Sequence, residues 1–404
     1  MDDHSSDSHA IGRDVSPAQT PTHRLRKFSF GAVTTVAVLL LLETGSRVVS
    51  PDMQSQRFRQ INQIVMFLGT QPSDLMLDFD SERFWRLKPD VTINDPNNTF
   101  WQGTVSNSLG FRCPEFLLEK QPSTLRVVCF GDSSTFGIGA RMEDTWPAQL
   151  QQMLADKTDQ PGSRSPESNI RRVEVINAGV PGYTSYQGLQ HMRQKLDLLD
   201  PDIVMASYAN NDFWHWDNQT DDQHAGRLKH NGHVRRVLMH SRFVQVIDAA
   251  FSRLQNHVTT ETASTASPNQ HWAEAATFNY MDPVEEWTRR VPLKSFKDNV
   301  NRMADMCEQR RLPLILVKWP DQPQAAGKWS PRIAYQEVLE DIAAERKLQI
   351  ADVVRLFQKN RDWSIDTFVP NDIVHVNRNG NALAAMAARD AIQRVQSESD
   401  YVTN

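Results

Sequence analysis

Four short fragments of this chain hold residues of the types that acyl chemistry uses. The first, Gly131-Asp132-Ser133-Ser134-Thr135, closes the apolar run Val127-Val128-Cys129-Phe130. A serine at the tip of a buried strand presents its hydroxyl to a substrate, so Ser133 is a candidate nucleophile. The last, Asp372-Ile373-Val374-His375, sets a carboxylate three residues before a histidine. On one turn that carboxylate reaches Nδ1 of the ring and leaves Nε2 for a serine. Between them lie Asn177-Ala178-Gly179 and Ala209-Asn210-Asn211-Asp212. Gly179 has no Cβ, so its N–H can approach a substrate oxygen closely. The Asn211 amide can point a donor into the same cleft. Each fragment also has a plainer use. The serine can cap a helix, the glycine can serve a turn, and the asparagine can close an Asx-turn.

These fragments need elements to bring them together. From Leu125 onward, apolar runs alternate with helically spaced ones. Strands are expected at Leu125–Phe130, Val173–Asn177, Ile203–Tyr208, Leu312–Val317 and, more weakly, Leu348–Asp352. Helical spacing is found at Trp146–Leu154, Tyr186–Leu199, Val300–Arg310, Ile333–Arg346 and Ala382–Val395. Such alternation predicts an α/β sandwich around a mainly parallel sheet. Ligands of open α/β sheets sit at the carboxyl ends of the strands, where Ser133, Gly179 and Asn211 fall. A nucleotide site is weakly supported there, because Gly131 to Gly139 matches neither GxxxxGK[ST] nor GxGxxG.

Taken jointly and in this order, the four fragments resemble the SGNH (GDSL-type) hydrolase superfamily, whose blocks centre on Ser, Gly, Asn and His. The resemblance runs over roughly residues 124–395. It implies a flavodoxin-like three-layer sandwich with a central, mainly parallel five-stranded sheet. It also implies a catalytic Ser133 with His375 as base and Asp372 as its orienting acid. The Ser133 and Gly179 N–H groups and the Asn211 amide would form the oxyanion hole. The implied activity is a serine esterase that removes acyl groups, with acetyl favoured and no cofactor. An O-acyltransferase on a glycan is the alternative, and a non-catalytic glycan-binding protein on the same fold is the second. Ala209 stands where the family's third block usually has glycine, which predicts a small adjustment of that turn. The G-x-S-x-G elbow of α/β-hydrolases is absent.

The rest of the chain sets bounds. A net charge of −5 over 404 residues argues against nucleic acid as a partner. Cys113, Cys129 and Cys307 show no metal spacing; Cys129 reads as a buried small hydrophobe, and a Cys113–Cys307 disulfide stays open. Residues 1–27 read as a disordered cytoplasmic tail ending in Arg24, Arg26 and Lys27. The uncharged run Phe28–Leu42, extended to Val49, reads as an uncleaved transmembrane signal anchor over 28–49. That would place the catalytic domain outside the cytoplasm, in the periplasm or beyond the cell, with a cell-envelope glycan ester as the suggested substrate. Residues 50–122 read as a membrane-proximal segment of short strands, 123–395 as the hydrolase domain and 396–404 as a tail.

An insertion over 213–290 is polar, aromatic and histidine-rich. Phe213, Trp214 and Trp216 either line the cleft and stack on a sugar ring, or anchor the insertion on the domain. His215, His224, His230, His233 and His240 are too irregularly spaced to favour a metal.

Overall fold

The computed structural model describes residues 21–49, 76–80, 82–93, 103–159, 172–214, 219–230, 241, 243–244, 246–247, 288–359 and 366–402. It divides into two units, one of Met1–Gln54 with Arg235–Glu261 and one of Ser55–Val234 with Thr262–Asn404. In the first, helix α1 (Pro21–Val49) covers the expected anchor. Val33, Val36, Leu39, Leu40 and Leu41 are exposed on it, and Glu43 accepts from Arg47 Nε at 2.8 Å and from Ser241 Oγ at 2.7 Å. Among the described residues no helix is long and apolar enough to cross a membrane. The expected span thus lacks structural support. Its apolar run ends at Leu42, short of the roughly 20 residues a bilayer needs, and Glu43 follows.

The second unit opens with the short strands expected before residue 122. Strands β1 (Leu77–Asp80) and β2 (Phe84–Leu87) pair antiparallel, with Leu77 opposite Leu87 and Asp80 opposite Phe84. Strands β3 (Thr92–Ile93) and β4 (Thr104–Val105) form a second antiparallel pair. Leu77, Trp85 and Leu87 are buried and join the core on one side of the main sheet.

That sheet has five parallel strands: β5 (Thr124–Gly131), β6 (Arg172–Gly179), β7 (Ile203–Ser207), β8 (Leu314–Lys318) and β9 (Gln349–Asp352). Their order is β6-β5-β7-β8-β9. The fourth strand begins two residues later than Leu312 because Pro313 has no N–H for the ladder. Side chains alternate along β5, so Val128 and Phe130 face one side, Val127 and Cys129 the other. Among the described residues of this unit, nine helices follow in chain order. They are α2 (Ser133–Phe136), α3 (Trp146–Asp159), α4 (Ser185–Leu199), α5 (Asp221–His230), α6 (Leu293–Glu308), α7 (Gln322–Ala325), α8 (Ile333–Arg346), α9 (Val353–Lys359) and α10 (Arg378–Val402). Val128 and Phe130 pack with Leu189 and Met192 of α4, Phe296 and Met303 of α6, and Leu339 of α8. Val127 and Cys129 pack with Trp146 and Leu150 of α3, Phe357 of α9 and Ala388 of α10. Two apolar layers on opposite sheet faces make the three-layer sandwich.

Several boundaries move from the sequence expectation. α6 starts at Leu293 rather than Val300, since Leu293, Phe296, Val300, Met303 and Cys307 keep one helical stripe directly after Pro292. α10 continues through Val402, so residues expected as a tail from 396 are helical up to there. α5 is a helix inside the stretch read as an insertion, and its polar sequence carried no apolar stripe to announce it. All three cysteines are free and buried, so the Cys113–Cys307 pair is not formed.

Candidate active site

β5 delivers Ser133 through Gly131, at which a Cβ would lie 2.1 Å from Thr135 Oγ1 and 3.0 Å from Ser207 O. Only glycine lets the chain turn there against its neighbours. Asp132 rather than Ser133 caps α2, accepting the Ser134 N–H on Oδ1 at 2.8 Å. With that cap supplied, the Ser133 side chain is left to the cleft, at the N-terminus of a single helical turn.

The histidine arrives from the far end of the chain. Asp372 Oδ1 accepts the N–H groups of Val374 at 2.7 Å and His375 at 2.9 Å, which closes the turn. Asp372 Oδ2 accepts Nδ1–H of His375 at 2.6 Å. His375 Nε2 stands 2.8 Å from Ser133 Oγ, the geometry in which the neutral ring accepts the serine proton. Burial alone would raise the Asp372 pKa. The charge of His375 and the hydrogen bonds from His375 and Val374 outweigh it and hold the carboxyl below its ordinary value. Ser133 and His375 are both buried, each 6 % exposed. Gly137, Ile138, Val376 and Asn381 line a small pocket with them, with about 130 Å³ of empty space, part of it open to solvent.

The donors expected at the oxyanion site fall differently. Ser133 N–H donates to no acceptor among the described residues, whereas Gly179 N–H is taken by Asn177 Oδ1 at 3.0 Å. A Cβ on Gly179 would lie 2.3 Å from Phe136 N, so this glycine lets β6 pack against α2. Gly182, which the sequence reading passed over, has φ +77° and an N–H with no acceptor among the described residues. Asn211 Nδ2 donates to Tyr183 O at 2.9 Å, with a longer 3.4 Å contact to Asp132 Oδ2. Ala209 takes φ +106°, so alanine holds a glycine-like conformation, its N–H on Asp212 Oδ2 at 3.1 Å.

The profile of the GDSL-like Lipase/Acylhydrolase family matches residues 129–383, more than half of the chain. The chain belongs to this family. It is therefore a GDSL-type carboxylic-ester hydrolase, and the match spans all four fragments that carry the chemistry. Solved structures similar to it include the lipase/acylhydrolase from Enterococcus faecalis, 16% identical over 66% of this chain and 95% of that one, with a TM-score of 0.39. Another is a catalytic mutant of Axe2, an acetylxylan esterase from Geobacillus stearothermophilus, 14% identical over 66% and 94%, with a TM-score of 0.39. LAE5, an α/β hydrolase enzyme from the metagenome of Lake Arreo, Spain, is 14% identical over 66% and 94%, at 0.41. A search of curated proteins finds no match.

Among the described residues of this hydrolase, Phe213 and Trp214 do not line the pocket at Ser133. Phe213 is buried, 8 % exposed, stacked on Trp214 with centroids 5.4 Å apart and tilted against Tyr335 at 6.5 Å. That is the anchoring alternative for these two side chains, because Phe213 belongs to the core. Trp216 lies outside the described residues, as do His215, His233 and His240. No group of three or more His, Cys, Asp or Glu among the described residues could hold a metal ion.

Two polar groups behind Ser133 were also missed. Asn210 Nδ2 donates to Ser134 Oγ at 2.7 Å, so the second serine of the turn is engaged. Arg112, fully buried, donates to Phe136 O at 3.0 Å, Gly137 O at 2.9 Å and Ala140 O at 2.7 Å. It thereby satisfies the carbonyls at the end of α2. Burial drives its pKa down to about 9, against a weaker upward pull from Glu143. A lone arginine at the end of Asn107-Ser-Leu-Gly-Phe-Arg112 gave no signal that it would close on that helix.

Proposed function

We propose that this esterase works by a Ser133–His375–Asp372 relay on esters with a short acyl group, acetyl above all. The observation that carries the proposal is the unbroken line from Asp372 Oδ2 to His375 Nδ1 at 2.6 Å and from Nε2 to Ser133 Oγ at 2.8 Å. His375 takes the serine proton as Oγ bonds to the ester carbonyl, then returns it to the leaving alcohol. In the second half it takes a proton from water as the water oxygen bonds to the acyl carbonyl, then returns it to Ser133 Oγ as the acyl–Oγ bond breaks and the acid leaves. Asp372 holds the ring in the tautomer with Nδ1 protonated and balances the imidazolium charge. The negative oxygen of each tetrahedral intermediate is held by the N–H groups of Ser133 and Gly182 and by Asn211, whose long contact to Asp132 is the one to give way. Each such donor is worth about 3 kcal/mol in the transition state. The close packing around Ser133, 6 % exposed beside the buried Ile138 and Val376, favours a short acyl group over a long one.

For the alcohol we propose a carbohydrate hydroxyl outside the cytoplasm, with the chain held at a membrane by α1. Basic residues before an apolar run support that orientation. Phe213, buried in the core, lends the carbohydrate no support.

The test is steady-state hydrolysis of aryl esters of increasing acyl length. Acetate is expected to be turned over fastest, and Ser133→Ala and His375→Ala each to lose more than about 10³-fold in kcat. Activity that survives both substitutions would sink the mechanism, and a preference for long acyl chains would sink the substrate assignment.

A further inference from the structure

The turn that carries Gly182 is gripped from three directions. Trp85 of β2 donates Nε1–H to Pro181 O at 2.9 Å, and Tyr183 OH donates back to Trp85 O at 2.6 Å. Arg290, at the far end of the 213–290 stretch, donates from Nη1 to Gly182 O at 2.9 Å. Asn211 Nδ2 donates to Tyr183 O at 2.9 Å. Three consecutive carbonyls are thus held by side chains from three separate parts of the chain.

The first of these holds acts directly on the proposed donor. Pro181 C=O and Gly182 N–H belong to one planar trans peptide unit and point in opposite directions. Fixing the carbonyl on Trp85 therefore fixes where the Gly182 N–H points. The next peptide unit is fixed in turn by Arg290. Such outside support matters at Gly182, since φ +77° is a conformation glycine shares with many others and does not hold by itself. Arg290 is itself immobilised: Nε donates to Asp221 Oδ1 at 3.1 Å, Nη2 donates to Gln187 Oε1 at 2.8 Å, and Asp221 Oδ2 accepts from Thr184 Oγ1 at 2.6 Å. Trp85 and Arg290 are almost fully buried, at 0 % and 2 % exposed.

We propose that Trp85 and Arg290 are positioning residues that aim the Gly182 N–H at the developing oxyanion. The β1–β2 hairpin, which lies outside the family match over 129–383, is then part of the active-site framework. This rests on the proposed role of Gly182 as an oxyanion donor. A donor aimed in advance stabilises the transition state more than the bound ester, so its loss is read in kcat and not in KM.

The experiment compares Trp85→Phe and Arg290→Lys with the parent chain on an aryl acetate, alongside melting temperatures. Trp85→Phe removes the indole donor and keeps a ring, and it leaves the Arg290–Asp221 pair intact. It is expected to lower kcat by about tenfold with KM within about twofold and with the melting transition kept. Arg290→Lys is expected to follow it. Unchanged kcat in a folded Trp85→Phe protein would overturn the proposal. So would a loss spread over kcat and KM together with a lowered melting temperature, the mark of a structural role. Should Arg290→Lys fail to fold, Trp85→Phe decides alone. Ser133→Ala is measured in parallel: full activity there defeats the serine mechanism itself and not merely the positioning.

Discussion

The chemistry of this chain depends on which of several similar residues faces the cleft. Of the serines 133 and 134, the second is held by Asn210; of the asparagines 210 and 211, only Asn211 reaches the 181–183 turn. The two glycines also differ in role. Gly179→Ala would place a methyl 2.3 Å from Phe136 N, a backbone atom, and is expected to destabilise by about 1–3 kcal/mol or more. Chemical denaturation checks this, and the loss should be of fold before rate. Asp372→Asn leaves the turn in place but no longer fixes the tautomer or balances the imidazolium. A drop in kcat of about 10³–10⁴-fold is expected, with near-native melting. Asp212 is a buried acid of another kind. Burial lifts its pKa to about 7, against hydrogen bonds from Ser185 and Ala209 and the charge of Arg290. Asp132 is lifted the same way, to about 6, against its bond from Ser134 and the charges of Arg332 and His375. An unfolded aspartate titrates near about 4, so both groups favour the folded protonated form. Their contribution is complete below about pH 4 and fades as the pH rises through about 6 and about 7. Melting temperatures from pH 5 to 8 should therefore fall more steeply in the parent than in Asp212→Asn. Parallel curves would contradict the assignment.

At the scale of elements, the strands were legible wherever apolar residues run unbroken, and the edges were not. Val127–Phe130 announces β5 because both its faces are covered, while Pro313 trims β8 through a missing donor that hydropathy does not register. α5 went unseen because its sequence, Asp-Asp-Gln-His-Ala-Gly-Arg-Leu-Lys-His, has almost nothing to bury. Its place is held instead by Asp221 on Arg290. Of the four chemical fragments the first and the last were legible, since Ser133, Asp372 and His375 come together in one hydrogen-bonded line, whereas the Gly179 N–H of the second is taken by Asn177. Gly182 was not legible, because a glycine's role depends on what its N–H meets: Asn177 takes the N–H of Gly179, while that of Gly182 has no acceptor among the described residues. The sandwich itself makes a contrast that can be measured on one helix. On α4, Leu189 is 1 % exposed and Leu198 is 45 % exposed. Leu189→Ala is expected to cost about 2–5 kcal/mol and Leu198→Ala under about 0.5 kcal/mol. Similar values at both positions would contradict the layer arrangement.

For the molecule as a whole, the family match and the geometry meet at one serine. The hairpin before the match and the residues around Arg290 and Asp221 appear in the same network as the turn at 181–183, so the working unit is larger than the matched segment. Helix α1 belongs to a separate unit and carries exposed Val and Leu side chains. If α1 holds the chain at a membrane, the full-length protein should sediment with membranes through a high-salt wash and be released by detergent. The central claim is that Ser133 is the nucleophile, activated by His375. It is tested most directly by treating the full chain with a fluorophosphonate and locating the adduct by peptide mass spectrometry. The account predicts a single adduct on Ser133, absent from Ser134 and lost in His375→Ala. An adduct on any other residue, or labelling that persists at full rate in His375→Ala, would contradict it.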